Sequence, residues 1–142
     1  MRIFSVAVLN VALALLPAVV LAKHIRIEQV SDLDFGVSVA GDPPKTIPAG
    51  QSESPQNASF EVTGKSNQSY TILLPPFALL SAGWGPSSQM YLRSFTSFPE
   101  CGQGLLNHRG EQMVYVGATR NALSSNQRAG LYSGTFLITV VY

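Results

Sequence analysis

The end of the chain, residues 130–142, is the stretch that most constrains the fold. Alternate side chains of a β-strand face opposite sides, and no proline interrupts the run. One predicted face is aromatic and branched-aliphatic, through Tyr132, Phe136, Ile138, Val140 and Tyr142. The pattern predicts a terminal strand with these five residues toward the core. Such an apolar strand needs a partner on each edge, because an unpaired edge promotes association.

The beginning of the chain, residues 1–22, has the composition of a secretory signal peptide. Arg2 precedes an apolar run that extends to Leu16, and Val20 and Ala22 are the small residues that a signal peptidase favours. We predict cleavage after Ala22, which leaves one domain at residues 23–142. An uncleaved anchor helix is the alternative, because the run is about long enough to span a bilayer.

Charge and cysteine content narrow the class of the exported domain. The chain has 9 basic and 8 acidic residues, and loss of Arg2 with the leader brings the net charge close to zero. No general electrostatic attraction to nucleic acid or to an anionic membrane is expected. Cys101 is the single cysteine, so it cannot form a disulfide within its own chain. We expect it to be an inert thiol; pairing between chains is the alternative.

The segments between the two ends are short and alternate in polarity. Turn-forming residues recur between them at the spacing of an all-β sandwich or barrel, and we predict about seven or eight strands. Ala58–Thr63 and residues 69–74 are expected to form a hairpin. Residues 33–39 are expected to be one strand with a bulge at Gly36, and residues 77–86 to be a loop.

The residues of enzyme active sites are scarce in this sequence. His24 and His108 are the only histidines, and no group of His, Cys, Asp and Glu has the spacing of a metal site. No serine lies in a nucleophile elbow, and no glycine-rich loop has the context of a phosphate site. The sequence therefore predicts a protein that is not an enzyme and that has no cofactor.

One aromatic group has the composition of a ligand platform. Trp84, Tyr91 and Phe77 could stack on a sugar ring, and Trp84 lies between two glycines. Core packing or loop anchoring is the more ordinary role of such residues. Trp84 is thus a candidate ligand contact.

Several motifs together resemble a known group of secreted bacterial domains. They are Asp32-Leu-Asp-Phe-Gly36, Phe60-Glu-Val-Thr-Gly64, Tyr70-Thr-Ile-Leu-Leu-Pro75, Val116-Gly-Ala-Thr119, Gln127-Arg-Ala-Gly130, Tyr132-Ser-Gly-Thr-Phe136 and Thr139-Val-Val-Tyr142. The chain looks like a pilin-like family that is still described as a domain of unknown function. That family is similar to spore-coat-U-like subunits of archaic chaperone–usher pili. The resemblance covers most of residues 30–142.

This resemblance implies an immunoglobulin-like β-sandwich that lacks one strand. In such pilins a periplasmic chaperone lends the missing strand, and the N-terminal extension of a neighbouring subunit later replaces it. Residues 132–142 would be the acceptor edge. Residues 23–30, with Ile25 and Ile27, would be either the donor segment or the first strand of the domain itself.

Two functions are compatible with these observations. The first is a structural subunit of a bacterial surface fibre or coat, which is assembled by β-strand exchange after export to the periplasm. The alternative is a self-complete secreted β-sandwich that binds a glycan or a protein, with Trp84 as a contact.

Overall fold

The computed structural model describes the backbone of residues 2–9 and all of residues 24–142. In this part of the chain the only helical element is a 3-10 turn at Pro86–Ser88, and no helix there could span a membrane. The strands are β1 (Arg2–Leu9), β2 (Arg26–Ser31), β3 (Leu33–Asp34), β4 (Lys45–Ile47), β5 (Ala58–Thr63), β6 (Ser69–Leu73), β7 (Phe77–Ser81), β8 (Gln89–Phe98), β9 (Gly104–Leu105), β10 (Glu111–Arg120) and β11 (Ser133–Val141).

The strands follow one hydrogen-bonded path in the order β2-β5-β10-β8-β7-β11-β1-β3. β4 pairs with the end of β10, on the same edge of β10 as β5. β6 pairs with both β11 and β9. Between β7 and β11 the connection is a single residue pair, Ser81 with Ser133. The sheet folds over at this point, which places β11 and β6 opposite β5, β10 and β8.

A cluster of three phenylalanines joins the two layers. The Phe136 ring of β11 lies 6.2 Å from the Phe60 ring of β5, in an edge-on arrangement. It lies 5.0 Å from the Phe95 ring of β8. β5 and β11 are far apart along the hydrogen-bonded path, so contact between their rings requires two facing layers. The predicted all-β, sandwich-like fold is confirmed.

The predicted hairpin of residues 58–63 and 69–74 is wrong. β5 pairs with β2 and β10, whereas β6 pairs with β11 and β9. The turn after β5 crosses from one layer to the other at Gly64, where a Cβ would meet the Tyr142 hydroxyl and the Leu106 side chain. Alternation in two consecutive segments predicts strands but not whether those strands pair with each other.

Two other local predictions, the loop at residues 77–86 and the single strand at residues 33–39, differ from the structure. Residues 77–81 are a strand, β7, which pairs with β8 over its whole length. Leu33 and Phe35 are fully buried as expected, but Val37 and Val39 are 94% and 66% exposed. Gly36 has a φ of 68°, a left-handed conformation that turns the chain away from the sheet.

Candidate functional site

The residues predicted to face the core on the terminal strand do so, with one exception. Phe136, Ile138 and Val140 alternate on the inner side of β11 and are at most 4% exposed. Tyr132 is also buried, immediately before the strand begins. Tyr142 lies after the end of β11 and is half-exposed. Its hydroxyl accepts a hydrogen bond from the Lys65 backbone N–H at 2.9 Å, so it tethers the layer-crossing turn and is not a core residue.

The two edges of β11 are paired in different ways. One edge is shared between β7 at Ser133 and β6 at Thr139–Val141. Among the described residues the other edge is paired only with β1, in parallel and without interruption from Arg2 opposite Ser133 to Leu9 opposite Val140. Because β1 precedes the predicted cleavage point, this edge depends on a segment that the signal-peptide prediction would remove.

β1 also provides the only strand pairing of β3 within the described residues. Arg2 pairs with Asp34 and Ile3 with Leu33, in the antiparallel sense. β1 therefore lies between β11 and β3 and closes a gap, by which we mean the space between residues 133–140 of β11 and Leu33–Asp34 of β3. Without a strand in it, backbone N–H and C=O groups on both sides would lose their partners, which is costly wherever water cannot replace them.

The structure distinguishes between the two placements proposed for residues 23–30. Arg26 to Ser31 form β2, which pairs antiparallel with β5 from Thr63 to Ser59. Ile25 is 2% exposed in the core of its own domain, and Ile27 packs against that core. Ile27 is therefore part of the domain's own strand β2, and Ile25 packs in the core immediately before that strand, so neither lies in a free donor extension. Lys23 lies outside the described residues, as do residues 10–22.

A cavity of about 530 Å³ opens where β11 begins. Residues 36–40 line it on one side and residues 127–132 on the other, together with Met90 and Leu123. The Gln127 side-chain amide donates to the Tyr132 hydroxyl at 2.8 Å and to the Gln89 carbonyl at 3.1 Å. These three polar groups satisfy one another, and most of the remaining wall of the cavity is apolar, with the Ser38 hydroxyl as a buried polar group that has no hydrogen-bond partner in the described residues. It adjoins the end of the gap at which Arg2 pairs with Ser133 and Asp34.

Trp84 and its aromatic neighbours lie on a different part of the surface. Trp84 is 96% exposed in the loop between β7 and β8. Phe77 pairs with Arg93 and Tyr91 pairs with Leu79, and both aromatic side chains are exposed. Phe77 and Tyr91 thus occupy diagonal positions on the outer face of this hairpin, with Trp84 at its tip.

The chemically reactive side chains form no cluster in the described part of the chain. There, no group of three His, Cys, Asp or Glu residues is arranged to hold a metal ion. Cys101 is exposed, with its Sγ 3.7 Å from the Ser97 Oγ. Burial raises the pKa of the Tyr70 phenol, which donates a hydrogen bond to the Gln112 side chain at 2.6 Å. That contact is structural, since it joins β6 to β10 inside the sandwich.

Sequence reasoning located β11 but missed the other side of the gap. The sequence predicts Leu33–Asp34 as the start of a longer strand over residues 33–39, and residues 2–9 as part of a leader. The available signals were the buried alternation of Leu33 and Phe35 and the apolar run after Arg2. Neither signal indicates that the two segments meet, because strand pairing is non-local.

Comparison with known proteins gives one result. A family model described as a domain of unknown function, DUF4402, matches residues 25–142. No curated protein and no solved structure matches the chain. The matched region begins just before β2 and includes every strand from β2 to β11. The chain belongs to the family described as domain of unknown function DUF4402.

Proposed function

We propose that this protein is a non-enzymatic structural subunit of a bacterial surface fibre or coat, assembled by β-strand exchange at the gap between β11 and β3. The observation that supports this most directly is the long edge of β11, whose only partner in the part of the chain that the structure describes is a segment ahead of the predicted cleavage point. After export, residues 23–142 would then be an immunoglobulin-like, pilin-like sandwich that lacks one strand.

The chemistry of the gap defines the partner. Its β11 side offers backbone N–H and C=O groups over residues 133–140, and the buried Phe136, Ile138 and Val140 lie on the same strand. An extended segment with apolar residues at alternate positions satisfies both, since its backbone extends the sheet and its side chains enter the core. A periplasmic chaperone and then a neighbouring subunit are the partners that we propose.

Peptide addition to the exported domain tests this proposal. A peptide that copies residues 2–9 is added to residues 23–142, and binding and urea unfolding are measured. We expect one peptide per domain and a stabilisation of about 2.7 kcal/mol when the free peptide is roughly 100-fold above its dissociation constant.

Two control peptides make the result specific. A peptide with both Val6→Pro and Ala7→Pro loses at least one ladder hydrogen bond to β11, because one of two successive N–H groups faces that strand. A scrambled peptide loses the register, so neither peptide should bind. If residues 23–142 are a stable monomer that takes up none of the three peptides, the fold is complete and the proposal is wrong.

Exposure of Trp84 favours a second candidate function, a secreted binding module for a glycan or a protein. A tryptophan that is 96% exposed buries no apolar surface in its own domain, and stacking on a sugar or an aromatic side chain would do so. A glycan array tests this role with the wild-type protein and the Trp84→Ala variant. Glycan binding by the wild type that is lost in Trp84→Ala, while the stability of the variant is unchanged, would support this role. If the wild type binds no glycan, a glycan-binding function is ruled out.

A further inference from the structure

We propose that in the uncleaved chain Arg2–Leu9 occupies the gap from within the same molecule, so that the leader keeps the acceptor edge closed until it is removed. The placement of Arg2–Leu9 in the gap is argued from the strand pairing alone. The identity of the strand that occupies the gap after cleavage rests on the proposed function.

The course of the chain makes occupation from within the molecule easy. β1 ends opposite Val140, near the end of β11. Tyr142, two residues on, contacts Lys65, and a Cβ added at Gly64 would meet both the Tyr142 hydroxyl and the Ile25 backbone. The point where β1 ends and the point where the domain resumes at Ile25 are therefore at the same end of the sandwich. Residues 10–24 could extend to about 50 Å, far more than this connection needs.

Covalent attachment gives the leader strand a large advantage over any partner strand. A tethered segment with a short linker has an effective concentration on the order of millimolar. A partner strand of equal intrinsic affinity at about 1 µM is thus outcompeted by roughly a thousandfold. Removal of the leader abolishes this advantage without any change in the contacts that line the gap. Cleavage of the leader would then itself make the acceptor edge of β11 available to a partner strand.

Paired cysteines test where β1 lies. In the full chain with Cys101→Ser, four double variants combine Val6→Cys or Val8→Cys with Leu137→Cys or Thr139→Cys. Val6 is in register with Leu137, and Val8 with Thr139. Adjacent strands place such Cα atoms about 5 Å apart, within disulfide range. The crossed pairs are offset by two residues and lie about 8 Å apart, beyond that range.

Under mild oxidation we expect intramolecular disulfides in both in-register variants and in neither crossed variant. The same four substitutions occur in both classes, so a general loss of folding cannot produce this contrast. Equal cross-linking in all four variants, cross-linking of the crossed pairs only, or no cross-linking would overturn the placement.

Strand exchange then tests the closing role. A protease site is inserted between residues 10 and 22 of the full chain, and the folded protein takes up a fluorescent copy of residues 2–9 before and after cutting. We expect the apparent affinity for the peptide to increase about 100- to 1000-fold on cutting, and no uptake by the disulfide-locked Val6→Cys, Leu137→Cys chain.

Equal uptake by cut and uncut protein overturns the closing role. Undiminished uptake by the locked chain leaves the β1 placement intact but shows that the acceptor is elsewhere, which contradicts the proposed function instead.

Discussion

At the scale of single residues, the sandwich depends on a few side chains that contact both layers. Phe136 is the clearest case, because its ring meets Phe60 and Phe95 on the opposite layer. Tyr70 has a similar role through a hydrogen bond, since its hydroxyl on β6 reaches Gln112 on β10. Both residues lie in segments that the sequence identifies as strands, but their partners are distant in the chain.

Truncation of Phe136 should remove the main contact between the layers. We expect Phe136→Ala to lower the free energy of unfolding of the full chain by about 3–5 kcal/mol, because it removes buried surface and leaves a cavity. Leu137→Ala is the matched control on the same strand; its side chain is 45% exposed, so the loss should be below about 1 kcal/mol. Urea denaturation measures both, and similar losses would contradict the assignment of the faces.

Tyr70 should make the protein sensitive to alkaline pH. Burial raises its pKa in the folded state, so the unfolded chain releases the proton first, near pH 10. The contribution of Tyr70 is fully present below that pH and is lost as the pH increases further. Above pH 10 the wild type should lose up to about 1.4 kcal/mol per pH unit more than Tyr70→Phe. Parallel pH profiles of urea unfolding for the two proteins would show that the phenol is not responsible.

At the scale of elements, β11 and β10 each pair with three other strands, and β11 is the one at which the sheet folds over. β7 approaches it so closely at Gly134 that a Cβ there would collide with the Leu79 backbone carbonyl. Because the obstructing atom belongs to the backbone of another strand, it cannot move aside as a flexible side chain would. Gly134 is thus a packing requirement of the point where the sheet folds over.

Substitution of Gly134 tests this packing. We expect Gly134→Ala to cost about 1–3 kcal/mol of stability through overpacking. Gly102→Ala is the control, since a Cβ at Gly102 meets nothing within 4 Å, and it should be nearly neutral. Thermal unfolding of the two variants separates the outcomes, and a neutral Gly134→Ala would mean that β7 and β11 are less closely packed.

At the scale of the whole molecule, the important difference is between the full chain and residues 23–142. The domain has almost no net charge to keep copies apart, and without β1 it would present the long apolar edge of β11. Unpaired edges of this kind recruit strands from other molecules.

Sedimentation velocity should reveal this difference. We expect the full chain to remain monomeric, and residues 23–142 to form larger species whose fraction increases with protein concentration. Addition of the peptide that copies residues 2–9 should shift the truncated domain back toward monomer. If truncated and full-length proteins sediment alike at all concentrations, the β11 edge is protected in another way.

Much of this organisation could be predicted from individual segments. The alternation of Phe136, Ile138 and Val140 determines the inner face of β11 in any fold, because successive side chains of a strand must face opposite sides. In the same way, the pattern around Ile25 and Ile27 indicates a half-buried strand. These properties arise from neighbours in sequence, so the residues themselves are sufficient.

Only the tertiary structure decided which edges meet. It placed Ile27 in the domain's own sheet and Ile25 in its core, separated β5 from β6, and brought β1 between β11 and β3. Backbone N–H and C=O groups are the same in every residue, so an edge does not specify its partner locally. The partner is set by how the whole chain closes around the core. For this reason the sequence alone identified residues 132–142 as an edge in need of a strand, whereas the fold determined which strand pairs with it.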